Sequence, residues 1–208
     1  MANAELAANR LGETLGTYAI GFLDAARVLF AHANDGRGLV DLYFYPAAFN
    51  LRHGLELFAK QCSDYEAYEF LDPERRYKGG HSLGATWDRC VGYLREISSD
   101  PIDRESLQTD LAAVELLVSR LHDLDPTGAL FRYPEAWKKG DRVDTHVTFD
   151  RVDLDAWARD AASAVNACQS LLFELSERFN FLRAKRGHAP LRAAKLTELH
   201  ARSGNTTE

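Results

Sequence analysis

The stretch PAAFNLRHGLELFAK, Pro46 to Lys60, carries Arg52, His53, Glu56 and Lys60 among residues otherwise mostly apolar or small. At about 100° per residue, Ala48, Leu51, Gly54, Leu55 and Phe58 fall on one face of a helix and the four polar residues on the other. Arg52, Glu56 and Lys60 follow one another at i, i+4 and i+8, so Glu56 can bridge two cations, and His53 lies three residues before Glu56. Phe49 and Leu57 flank this polar arc and narrow it, and the apolar Leu42-Tyr-Phe-Tyr45 leads into it as the approach to a central helix would. Charged groups on a largely buried helix need mutual hydrogen bonds or a ligand, because a lone buried charge is very costly. The stretch therefore supports three readings: a solvated helix face, a buried ion ladder, or a site.

Around this centre the chain reads as nearly all helix. Leu6, Leu11, Leu15, Ile20, Leu23, Ala26, Val28 and Leu29 recur at helical spacing from about Glu5 to Asn34, and Asn34-Asp-Gly-Arg-Gly38 supplies the stop. After the central helix, Leu71-Asp-Pro73 and Gly79-Gly80 bracket a charged loop, and Ser82 is placed as the N-cap of a helix reaching about Ile97, with Trp87, Val91 and Leu94 facing its core. A further helix spans about Arg104 to His122, with Leu107, Leu111, Val114, Leu117 and Leu121 on one side, and Asp125-Pro-Thr-Gly128 ends it. The last helix runs from Asp153 or Leu154 to about Ala184, carrying Trp157, Ala161, Val165, Cys168, Leu172, Leu175 and Phe179. Two β-prone pieces, around Ala129 to Tyr133 and around Thr145 to Phe149, predict a small hairpin between the last two helices. The expected fold is an all-α bundle of about five helices with a small β-hairpin insertion near 129–149.

Length and composition set the frame. With 208 residues, 46% of them hydrophobic, the chain can bury the core of one domain, placed here at residues 1–188. Residues 189–208 are expected to form a basic, partly disordered C-terminal tail; the basic run begins at Arg183, and Ser203 to Glu208 are the part expected to be disordered. A net charge of −6 argues against a protein that coats nucleic acid generally, though not against a local basic groove. Cys62, Cys90 and Cys168 are widely spaced and form no C-x-x-C, so neither a disulfide framework nor a zinc site is indicated, and a reducing cytoplasm fits. There is no H-E-x-x-H, no pair of His ligands at i, i+4 and no Gly-rich phosphate loop in a strand-turn-helix setting, so no metal or cofactor is expected. No run approaches the 18 or so apolar residues that span a bilayer, and the N-terminus has no signal-like apolar region, so no membrane partner is expected.

Tyr45 to Lys60, YPAAFNLRHGLELFAK, followed by Gly80-His81-Ser82-Leu83 with Trp87 close behind, and by Phe131-Arg-Tyr-Pro134 before a long last helix, resembles small bacterial all-helical proteins of the HEPN-like type. The resemblance covers roughly Leu39 to Leu182. It implies a helical bundle, often a homodimer, of a superfamily in which many members are metal-independent ribonucleases of toxin–antitoxin and phage-defence systems and others are non-catalytic. The superfamily's usual signature is an Arg, then four to six residues, then a His. Arg27 with His32, Arg75 or Arg76 with His81, and Arg183 with His188 all meet that spacing, as composition alone would supply, whereas Arg52 and His53 are adjacent.

Cleaving RNA without a metal needs a base for the 2′-hydroxyl proton, cations for the charge building on phosphate, and an acid for the leaving oxygen. His53 and His81 are the candidate base and acid, since an imidazole titrates near ~6.5. Arg52 is the candidate phosphate-stabilising cation, and Glu56 would orient His53 or hold Arg52. Lys60, Arg132 and Tyr133 are the candidate substrate-binding residues, and the basic tail is a second region for RNA contact. Against this stand plainer roles: Arg52–Glu56–Lys60 as a structural ladder, His81 capping its helix, and Arg132 as a surface residue. The alternative function is a non-catalytic partner or regulatory subunit that binds RNA, a nucleotide, an antitoxin or another protein through the same face.

Overall fold

The computed structural model describes residues 15–35, 40–65, 80–97, 101–132, 135–138, 141–144 and 153–185. Within them the protein is an all-α bundle whose five α-helices are α1 (Leu15–Asn34), α2 (Val40–Lys60), α3 (Leu83–Ile97), α4 (Pro101–Leu124) and α5 (Leu154–Lys185). A short π-helical turn, Gln61–Tyr65, continues α2. The stretch before Leu15 expected to extend the first helix, the charged connection at 66–79 and the basic tail beyond 185 lie outside the described residues.

α2 is the central element, packed along α1 and also against α3 and α4, while α5 lies against α1 and α4. The helix starts earlier than its sequence suggests: Leu42-Tyr-Phe-Tyr45 lies within its first two turns and Pro46 sits inside it. Proline lacks the N–H that would bond one turn back, yet the flanking Phe44, Ala47 and Ala48 are all buried. Burial of that apolar approach outweighs the one missing bond. Gly54 lets α1 and α2 come close, since a Cβ there would lie 2.8 Å from Leu23 Cγ and 3.0 Å from the Ala19 carbonyl oxygen.

One end of the core is aromatic and joins three helices. Phe30 of α1 stacks on Trp157 of α5 at 5.6 Å, and Phe44 of α2 meets both edge-on at 5.9 and 5.8 Å. Arg120 of α4 places its guanidinium carbon 3.9 Å from the Trp157 ring centre, within cation–π range, and bonds Asp160 at 3.2 Å. The expected apolar stripes are buried: Trp87, Val91 and Leu94 on α3, Leu107, Leu111, Val114, Leu117 and Leu121 on α4, and Trp157, Ala161, Val165, Cys168 and Leu175 on α5. Cys62, Cys90 and Cys168 are buried, and among the described residues none of them forms a disulfide.

The helix ends follow from local chemistry. The Ser82 hydroxyl accepts from the Ala85 N–H at 3.4 Å and so caps α3, and the Asp153 carboxylate does the same for α5 through Ala156 N at 2.9 Å. α4 opens with Pro101, whose missing N–H is harmless in the first turn. α1 is capped from a distance: Gly16 N donates to the Gln61 side chain at 3.1 Å, so the residue that follows α2 closes the start of its neighbour.

The β-prone pieces do not sit where their sequence places them. Residues 130–132 form turn, because Asp125 gathers that segment onto α4, and 145–149 lie outside the described residues. The pairing that occurs is between two four-residue segments, Glu135–Lys138 and Asp141–Asp144, antiparallel with Ala136 opposite Val143. Among the described residues no helix is long and apolar enough to cross a membrane.

Candidate functional site

The polar face of α2 turns inward and becomes a hydrogen-bonded network centred on Glu56. Arg52 is 3% exposed and Glu56 0%, although both lie on the face that amphipathic spacing would give to solvent. Arg52 Nη1 donates to Glu56 Oε2 at 3.1 Å across one helical turn. The other carboxylate oxygen, Oε1, takes Lys60 Nζ at 2.6 Å and meets His81 Nδ1 at 2.9 Å. Three donors therefore converge on one buried carboxylate, which is the condition under which such a burial is tolerated.

Arg52 ties this carboxylate to two other parts of the chain. Its Nη2 donates to the His81 carbonyl at 2.6 Å, and its Nε to the Asp125 carbonyl at 3.2 Å, with Asp125 Oδ2 also 3.7 Å away. Asp125 is itself buried, and its Oδ1 accepts the N–H groups of Ala129 at 2.9 Å and Leu130 at 3.2 Å, folding the chain after α4 into a compact turn. That turn needs Gly128, whose φ of 76° is left-handed and whose hydrogen faces the guanidinium. A Cβ there would lie 2.6 Å from Arg52 Nη1. The guanidinium is thus walled in by α2, the approach to α3 and the turn after α4.

His81 is the outward member of the network, with its side chain 65% exposed while Glu56 behind it is fully buried. With Glu56 ionised, the ring presents its Nδ1–H to the carboxylate, and in the neutral form of the ring Nε2 then carries the lone pair. Lys60, 15% exposed, sits beside it on the same carboxylate oxygen. Burial alone would push the Glu56 carboxyl up, but the hydrogen bonds from Lys60 and His81 and the charges of Lys60 and Arg52 outweigh it and hold the group below its ordinary value.

His53 has a different setting. Its ring is half-buried, lies parallel to Phe49 at 5.5 Å and takes the edge of Phe22 from α1 at 4.7 Å. Nδ1 is buried with no hydrogen-bond partner among the described residues. Burial lowers its pKa below 6.5; the Glu56 charge opposes this, while Arg132, Lys60 and Arg52 reinforce it, so the imidazole is held neutral. Arg132 is exposed and places its guanidinium carbon 5.4 Å from the Phe49 ring centre.

Of the residues singled out in the sequence, Arg52, Glu56, Lys60 and His81 come together, His53 and Arg132 flank them around Phe49, and Tyr133 lies outside the described residues. Asp125 and Gly128, which complete the enclosure of Arg52, read in the sequence only as a helix stop. Their one local signal is the Asp-Pro-Thr-Gly turn itself, which says nothing of a partner 73 residues away. Among the described residues no group of three or more His, Cys, Asp or Glu side chains is placed to hold a metal ion. The chain matches no protein-family model, no curated protein and no solved structure.

Proposed function

We propose that the protein is an HEPN-like, metal-independent ribonuclease of a bacterial toxin or defence system, acting in the cytoplasm as a homodimer, in which His81 meets the substrate and Glu56 orients it. The observation that carries this reading is the 2.9 Å contact between a fully buried carboxylate and Nδ1 of an exposed imidazole. A carboxylate on Nδ1 fixes the tautomer and strengthens Nε2 as a proton acceptor. In the reaction Nε2 takes the proton of a ribose 2′-hydroxyl, the 2′-oxygen attacks the adjacent phosphorus, and the bond to the 5′-oxygen breaks to leave a 2′,3′-cyclic phosphate. Lys60 supplies positive charge for the phosphate, and an acid from the second copy of the site protonates the departing 5′-oxygen.

Arg52 has a supporting role in this scheme, because its donors are already directed at Glu56, His81 and Asp125. The same fact favours a second reading, a non-catalytic partner or regulatory subunit that binds RNA, a nucleotide or a protein through this face, since the strongest cation for a transition-state phosphate is engaged internally. Incubation of the purified protein with labelled RNA in EDTA separates the two. Cleavage to cyclic-phosphate ends by the wild type and not by His81→Ala supports the ribonuclease; RNA binding without cleavage supports the second reading.

A further inference from the structure

We infer that Arg132, seated on Phe49, is a stacking step for an unpaired nucleobase of single-stranded RNA, with His53 as the support beneath that step. The inference rests on the RNA reading of the site and adds to it the part of the substrate that lies beside the phosphate.

The stack is built from inside outward. Phe22 of α1 meets His53 nearly perpendicular, at 82°, and His53 and Phe49, one turn apart on α2, lie within 9° of parallel. Arg132 follows over the Phe49 ring. Phe22, His53 and Phe49 are half-buried, and Arg132 is exposed. The order therefore runs from packed aromatic to solvent-facing guanidinium, a flat and weakly hydrated group on which a base can continue the stack.

The position of Arg132 is set before any ligand arrives. The Asp125 carboxylate holds the turn that precedes it, Arg52 bonds the Asp125 carbonyl, and Arg132 N donates to the Ala129 carbonyl at 3.2 Å. Charge is arranged to match. Burial holds the His53 pKa below 6.5, so the positive charge of the stack lies at its outer end, on Arg132. One cation at the exposed end of the stack fits a base, and the face-on geometry requires a base that is not enclosed in a duplex.

The test uses fluorescent ten-residue 2′-O-methyl oligonucleotides, which bind without offering a 2′-hydroxyl for cleavage, one bearing adenines and one abasic throughout. The wild type is expected to bind the adenine oligonucleotide about tenfold more tightly than the abasic one, the scale of one base stacked on a side chain. Arg132→Ala should remove that difference, and Phe49→Leu should reduce it. Arg132→Lys, which retains the charge, should keep abasic binding while losing the preference for bases. Equal binding of the two oligonucleotides by the wild type, or a preference that survives Arg132→Ala, overturns the stacking step while leaving RNA cleavage at His81 intact. Absence of binding to either, together with absence of RNA cleavage, overturns the RNA reading itself.

Discussion

Arg52 donates to the main-chain carbonyl of His81 at 2.6 Å, so the arginine that sequence marks as a phosphate clamp instead fixes the backbone of the histidine. The same guanidinium holds Glu56, whose other oxygen meets the His81 ring, and a closed loop of contacts results. Both the main chain and the ring of His81 are referenced to one planar group.

Arg52→Ala removes one of the two cations bonded to the buried Glu56 carboxylate, takes the guanidinium donor from the His81 carbonyl and leaves the Asp125 carbonyl with the Gly128 N–H. A loss of about 3–5 kcal/mol is expected, as when one member of a buried ion pair is removed. Urea unfolding followed by circular dichroism measures it. A loss below about 1 kcal/mol would mean that the network is not enclosed as described.

Gly128→Ala should destabilise by about 2 kcal/mol, combining the left-handed backbone cost for an L-residue with displacement of the guanidinium. Its wider effect should appear at His81. The nitrogen chemical shifts of that imidazole, recorded by NMR, are expected to move although the two residues are 47 positions apart in the chain.

His81→Ala keeps the carbonyl that Arg52 bonds but removes an exposed ring that is one of three donors to Glu56, so its stability cost should be about 1–2 kcal/mol, below that of Arg52→Ala. RNA cleavage in EDTA should disappear in the same variant. Cleavage at the wild-type rate would remove His81 from the chemistry and leave it as the residue that precedes the α3 cap.

Two acid-side titrations should be separable. The folded pKa of His53 lies below 6.5, so the unfolded chain takes up that proton first and stability falls as pH drops from about 6.5 through the folded value. Glu56 lies below 4.5; its contribution is complete above the unfolded value and is lost as pH falls from about 4.5 through the folded value. Urea midpoints measured against pH should therefore lose the upper slope in His53→Phe and the lower slope in Glu56→Gln. A retained upper slope in His53→Phe would assign that proton elsewhere.

The helices were legible because their signals are local. Leu107, Leu111, Val114, Leu117 and Leu121 repeat at the helical period, and Ser82 stands where a cap must stand. The start of α2 was less legible, since Pro46 reads as a boundary and only the burial of Phe44, Ala47 and Ala48 shows why the helix passes through it. Within the candidate site, the i, i+4 ladder from Arg52 to Lys60 could be read from spacing alone. Its inward orientation could not, because that depends on acceptors at His81 and Asp125, and no periodicity encodes a contact across 29 or 73 residues. The surroundings of His53 were not legible either: one residue is a turn of about 100° from Arg52, and its ring contacts are with Phe49 one turn back and with Phe22 of another helix.

The three acceptors of Arg52 arrive at very different times in the life of the chain. Glu56 is four residues away and available as soon as α2 winds, whereas the His81 and Asp125 carbonyls require closures of 29 and 73 residues. The Glu56–His81 alignment is consequently a late product of folding, since distant pairings form more slowly than local ones. A nascent chain that has emerged only as far as α3 carries every residue of the pair without the Asp125 turn that encloses its clamp. Under the proposed ribonuclease activity, the order of assembly would itself delay its onset until α4 and its closing turn have left the ribosome.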